Sequence, residues 1–280
     1  MYDVVLVPAP KYIPPKWKTV DLGEFVQYDP KYFKEVQIPE KQRMGLKCIR
    51  PKGEIPQPVG LTDYGFMFAD TRLGSVDMTG WDFSQVRSIA GLCMNCKHIT
   101  KIKCDGLDFR NCVDMHRAFY NCDGIKYINV ETWLLDEIST AAEMFAECSK
   151  LIECIVGRWN TVKLDSIMAM YENCASLKRV DLSGWDTTDL NVANKLCKGC
   201  TSLEYANIRF ENVKGLIDLD RAFLGCKHLK EVIMPDLSES PNCTLYLAFD
   251  GTPKSVRPPE YDAFMKKFEE MKNQRTGAWF

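Results

Sequence analysis

Histidine is scarce in this sequence, with three in 280 residues. None stands in a His-x-x-x-His or His-Glu-x-x-His spacing, which excludes the helix-borne zinc sites of metalloproteases. There is no Gly-x-x-x-x-Gly-Lys-[Ser/Thr] loop, no Gly-x-Gly-x-x-Gly turn and no Gly-x-Ser-x-Gly elbow. The common phosphate-cradling, dinucleotide-binding and serine-hydrolase signatures are therefore missing. No apolar run approaches the roughly 18 residues of a membrane-spanning helix. An excess of one charge is lacking too: 36 basic and 38 acidic residues leave a net charge of -2. No bulk attraction to nucleic acid or to an anionic membrane is expected. The first residues, Met1–Pro8, lack the basic start and long apolar core of a secretory leader. The expected location is cytoplasmic, with reduced thiols.

What the chain has in excess is cysteine, 13 in all. Cys96, Cys122, Cys148, Cys174, Cys200 and Cys226 are spaced by 26 residues at every step. That regularity is an internal repeat. Extending the frame places Asp70 before the series and Thr252 after it. With the cysteine as position zero, Met67, Cys93, Phe119, Phe145, Tyr171, Cys197, Phe223 and Phe249 stand three residues earlier. Leucine or isoleucine stands three later, from Leu73 to Leu229. Trp81, Trp133, Trp159 and Trp185 share position eleven, with Leu107 and Leu237 as substitutes.

Two periodicities alternate within a unit. Positions five to nine alternate, as in Arg179-Val180-Asp181-Leu182-Ser183, which predicts a short half-buried strand. Before the cysteine, Leu164, Ile167, Met168 and Tyr171 fall at i, i+3, i+4 and i+7, as do Ile138, Ala141, Ala142 and Phe145. That spacing predicts a short helix, with His116 in another. One unit buries neither face alone, so units must stack. The expected fold is α/β: a leucine-rich-repeat solenoid of about seven to eight strand-turn-helix units with a parallel sheet, capped at both ends.

The run Met170-Tyr171-Glu172-Asn173-Cys174-Ala175-Ser176-Leu177-Lys178-Arg179-Val180-Asp181-Leu182-Ser183-Gly184-Trp185 resembles the BspA-like leucine-rich repeat. It also resembles the related repeat of mycoplasma surface lipoproteins. Val76-Asp77-Met78-Thr79-Gly80-Trp81 is a second such run. The resemblance covers about residues 66–255. It implies a solenoid used for adhesion or protein recognition, on bacterial surfaces or in protists and viruses, without catalytic residues. No lipobox or wall anchor accompanies the repeat here, which points to an intracellular or virus-encoded protein.

The remaining segments divide the chain into three. Residues 1–65 do not repeat and are rich in proline, with strand-like pieces at Val4–Val7 and Gly45–Arg50. They read as an N-terminal cap or as an arm that grips a partner. Residues 66–257 form the solenoid. In residues 258–280 the stretch Glu260–Asn273 reads as an amphipathic helix with Tyr261, Phe264, Met265 and Phe268 on one face. It reads as a C-terminal cap followed by an apolar tail.

The pairs Cys93/Cys96 and Cys197/Cys200 have a metal-ligand spacing, but zinc needs four converging ligands. Four repeats separate the pairs, ~19 Å at strand spacing. They read as core residues in aromatic positions, and the cysteine column as buried free thiols. No metal or cofactor is expected. The sequon Asn242-Cys243-Thr244 has meaning only in a secreted chain.

A partner would meet the outward side of the strands, where neighbouring units present side chains at one height. Position five reads Ser75, Lys101, Tyr127, Glu153, Arg179, Tyr205 and Glu231. Position seven reads Asp77, Lys103, Asn129, Ile155, Asp181, Asn207 and Ile233. Position nine includes Arg209. These columns vary while the core columns stay alike. Tyrosine, arginine and isoleucine are the residue types that anchor interfaces. The expected function is a non-enzymatic recognition module, monomeric alone, that binds a protein through this face. The alternatives are a structural component of a virion or surface layer, or a bacterial adhesin.

Overall fold

The computed structural model describes residues 62–157 and 159–276. Val4–Val7, Gly45–Arg50 and the tail Gly277–Phe280 lie outside the described residues, and with them the reading of the N-terminal segment as cap or arm.

Seven short strands recur along the described residues: β1 (Ser75–Asp77), β2 (Lys101–Lys103), β3 (Tyr127–Val130), β4 (Glu153–Val156), β5 (Arg179–Asp181), β6 (Tyr205–Asn207) and β7 (Glu231–Ile233). They occupy the strand positions of the frame. Every pairing is parallel and joins residues 26 apart, such as Tyr127 with Glu153 and Arg179 with Tyr205. The strands group as β1-β2, β3-β4 and β5-β6-β7. On another wall of each coil, single parallel bridges link Asp63, Ser88, Asp114, Thr140, Ser166, Val192, Asp218 and Thr244 in an unbroken series. The described residues form a parallel β-solenoid with little helix.

The helices expected inside each unit do not form. The stretches Ile138–Phe145 and Leu164–Tyr171, and the segment around His116, are successions of tight turns. Their backbone N–H groups are spent along the stack. Ala141, Glu143, Phe145 and Glu147 donate to Ser166, Met168, Met170 and Glu172 of the next coil, at 2.8–3.0 Å. Between them, Met144 and Ala146 close three-residue turns on Ala141 O and Glu143 O at 3.2 and 3.1 Å, and Ala142 N–H goes to Thr140 Oγ1 at 3.2 Å. An α-helix would need those donors for its own carbonyls four residues back. Two left-handed residues per coil also forbid it: φ is 53° at Glu143 and 64° at Glu147, 54° at Ala169 and 60° at Asn173. Tight turns of about three residues send every third or fourth side chain inward, which imitates helical spacing.

The second left-handed column runs Asp70, Asn95, Asn121, Glu147, Asn173, Gly199, Gly225, Gly251. Asn, Asp and Gly tolerate this conformation best. Three of the amides also chain the coils together. Asn95 donates to Asp70, Asn121 to Asn95 and Asn173 to Glu147, at 2.9, 2.8 and 2.7 Å.

The first coil is one residue shorter than the frame implies. Asp70 pairs with Asn95, 25 residues on, and Thr71 lies against Cys96 at 3.3 Å. The cysteine column therefore begins at Thr71, not Asp70, and Phe68 replaces Met67 in the aromatic column. The missing residue falls between Thr71 and Leu73, so the strand side of the pattern keeps its spacing.

Cysteine suits its column for a stated reason. Each thiol donates to the carbonyl of the aromatic-column residue one coil back: Cys96 to Phe68, Cys122 to Cys93, Cys148 to Phe119, Cys174 to Phe145, Cys200 to Tyr171 and Cys226 to Cys197, at 2.9–3.1 Å. The two threonines that flank the series turn inward instead, Thr71 onto Phe68 O and Thr252 onto Phe249 O, both at 2.7 Å. Burial pushes the Cys148 thiol up to about 12, so it stays protonated and remains a donor. The twelve cysteines among the described residues are all free.

At the opposite corner the tryptophans stack. Trp133 and Trp159 lie 6.3 Å apart and Trp159 and Trp185 5.2 Å. Each indole N–H reaches a carbonyl of the preceding coil: Trp133 to Cys104, Trp159 to Val130 and Trp185 to Gly157, at 2.6, 3.1 and 3.0 Å. A buried indole needs such a partner. Beyond the coils, α1 (Pro259–Thr276) appears where a helix was expected. Tyr261 is buried with its ring edge-on to Phe249 at 5.2 Å, and Phe268 meets Tyr246 at 4.7 Å.

Candidate interaction face

Strand alternation sends Val76, Ile128, Val180 and Ala206 into the core and the neighbouring positions outward. Lys101, Lys103, Tyr127, Asn129, Glu153, Ile155, Arg179, Arg209 and Glu231 are exposed. Asp181, Tyr205, Asn207 and Ile233 are half-buried.

The exposed members differ in what they already do. Position seven is largely a strand terminator. Asn129, Asp181 and Asn207 accept the N–H of the residue two further on, at 2.8, 3.2 and 3.1 Å. Asp77 does the same for Thr79 and also takes Lys103 at 2.5 Å. The Lys103 ammonium is the main reason that the Asp77 carboxyl is held down to about 2. Short polar side chains that bond their own backbone in this way stop a strand.

Arg179 is also engaged. Its guanidinium pairs with Asp181 at 2.7 Å and lies 3.7 Å above the centroid of the Tyr205 ring. The pair is an ordered planar surface rather than two independent side chains.

Tyr127 and Ile155 stand apart from these. They are 62% and 39% exposed, large for side chains of these types. Tyr127 pairs with Glu153 and Asn129 with Ile155, so the two lie diagonally across β3 and β4, ~7–8 Å apart. Beside them, Lys101 and Lys126 are exposed and form no ion pair among the described residues. Lys126, at position four, lies outside the columns that sequence alternation singles out. It could have been found by asking which exposed lysines have no acid at the same position in the adjacent unit.

The histidines play local roles. His228 Nδ1 lies 2.6 Å from Thr201 O, and His116 sits 3.6 Å from Glu143. Among the described residues no group of three or more His, Cys, Asp and Glu side chains converges to hold a metal. Cys93 and Cys96 are buried in the core, as are Cys197 and Cys200. No described helix is long and apolar enough to cross a membrane.

Residues 113–235 match the model of a family described as Mycoplasma protein of unknown function, DUF285. No curated protein and no solved structure matches the chain.

Proposed function

We propose that the chain is a non-catalytic recognition module of the BspA-like leucine-rich-repeat type, which binds a protein through the outward side of its strands, centred on β3 and β4. The observation that carries this is the exposure of Tyr127 and Ile155 side by side on a rigid sheet. Exposed aromatic and branched aliphatic side chains on a fixed backbone lose little entropy on binding and anchor interfaces. Lys101 and Lys126 on one side, and the Arg179–Tyr205 plane on the other, give that centre a polar rim. The similarity to a Mycoplasma family and the repeat resemblance fit this reading. Free, buried, protonated thiols fit a reducing compartment.

The test is capture from host lysate with wild type, a Tyr127→Ala/Ile155→Ala variant and a control variant on α1, Lys266→Ala. A stoichiometric partner kept by the control and lost by the face variant supports the reading. A partner kept by both places binding elsewhere. Self-association without a partner favours the structural role in a virion or surface layer.

A further inference from the structure

The repeat frame says where an eighth strand would lie. Five to seven residues after Thr252 stand Arg257, Pro258 and Pro259. Proline has no N–H to give to a ladder and interrupts a strand. The chain instead passes through a 3₁₀ turn at Lys254–Val256 and enters α1. Among the described residues β7 is therefore an edge, paired with β6 alone. Glu231 N–H reaches Glu204 O at 3.2 Å, and Ile233 O receives the Ile208 N–H at 2.9 Å. Alternation turns the Val232 N–H and C=O and the Met234 N–H away from β6.

Between this edge and residues 255–258 lies a cleft of about 300 Å³. Val232, Met234 and Val256 give it apolar walls, and Lys230, Glu231 and Arg257 line it with charge. Arg257 donates from one terminal nitrogen to Thr252 O at 3.2 Å, but its Nε is buried without a partner. A buried guanidinium donor left unpaired favours a carboxylate.

We propose that the β7 edge accepts an extended peptide as an added parallel strand. The peptide has the apolar alternation of the solenoid's own strands and carries a carboxylate near Lys230 and Arg257. The edges of β1, β3, β5 and β6 that face the same way each hold such a neighbour in parallel register. Glu204, at the start of the strand added to β5, lies 3.6 Å from Lys178 before it and 2.6 Å from Lys230 after it, so lysines of this column share a carboxylate between neighbouring units, and Lys230 would hold the peptide's carboxylate beside Glu204. Lys230 stands where Lys178 does, two units further along.

This site lies at the end of the sheet, away from the β3–β4 centre of the strand face, and is tested without knowing the natural ligand. The probe is a fluorescent peptide that copies residues 201–209, Thr-Ser-Leu-Glu-Tyr-Ala-Asn-Ile-Arg, titrated into the full chain. A second peptide is N-methylated at the residues copied from Tyr205 and Asn207, whose N–H groups would face the β7 edge. The expected result is saturable binding, weakened tenfold or more by N-methylation and threefold or more by the Arg257→Gln substitution in the protein. No saturable binding, or equal binding of the N-methylated peptide, would overturn the proposal.

Discussion

The Cys148 thiol donates to the carbonyl oxygen of Phe119 at 3.1 Å, one coil back, where the Phe119 ring stacks against Phe145 at 5.6 Å. One small side chain thus ties two coils at the point where their aromatic column packs. Cys148→Ala removes the donor and leaves a buried carbonyl with one bond fewer. The expected loss is about 1–3 kcal/mol in urea unfolding. A loss under about 0.5 kcal/mol would show that the thiol only fills space.

The thiols also make stability depend on pH. Burial raises Cys104, Cys112 and Cys148 from 9.0 to about 12 in the folded chain. The unfolded chain releases these protons first. The stabilising contribution is complete below pH 9 and is lost as pH climbs toward 12, by about 1.4 kcal/mol per pH unit for each such thiol. Unfolding midpoints measured between pH 7 and 11 should fall steeply above 9. At pH 8 a thiol reagent should leave these three untouched until denaturant is added.

Lys195 separates the turn arc from the helix that its spacing predicts. Its φ is 55°, a conformation that costs a side-chain-bearing residue about 1–2 kcal/mol and glycine almost nothing. Lys195→Gly is expected to hold or raise the unfolding midpoint, by up to about 1 kcal/mol. In a helix the same change would lower it by about 1 kcal/mol, so the sign of the shift decides.

Arg179 and Tyr205 are expected to couple. A double-mutant cycle with Arg179→Ala and Tyr205→Ala, read by thermal unfolding, should give an interaction of about 0.5–1 kcal/mol. Strict additivity would mean that the guanidinium leaves the ring in solution.

The strands are legible in the sequence because the cysteine spacing fixes phase and strand alternation has a period that few other structures share. That alternation alone assigns Tyr127, Arg179 and Ile155 to one face. The turn arcs are not legible, because inward positions such as Ile138, Ala141 and Phe145 recur at helical intervals in a chain of tight turns. The bonds that distinguish the two run between residues 25 apart, as from Phe145 to Met170, and no local window contains them. The clue lies in the column before the cysteines, Asn or Gly at every place but Glu147, a left-handed signature that a helix interior would not repeat. The missing residue in the first coil is hidden because Leu73 stays in phase with Ile99. The Arg179–Tyr205 stack and the orphaned Arg257 Nε depend on side-chain positions that spacing does not encode.

The wall of single bridges runs unbroken from Asp63 to Thr244, while strand pairing lapses between β2 and β3 and again between β4 and β5. The stack thus has a spine on one side and two seams on the other, the first of which the Asp108–Leu134 bridge ties nearby. Bending should concentrate at those seams, because fewer backbone bonds resist it there. The β3–β4 pair lies between them, so Tyr127 and Ile155 keep their spacing within one paired leaf while any bending falls to either side of it.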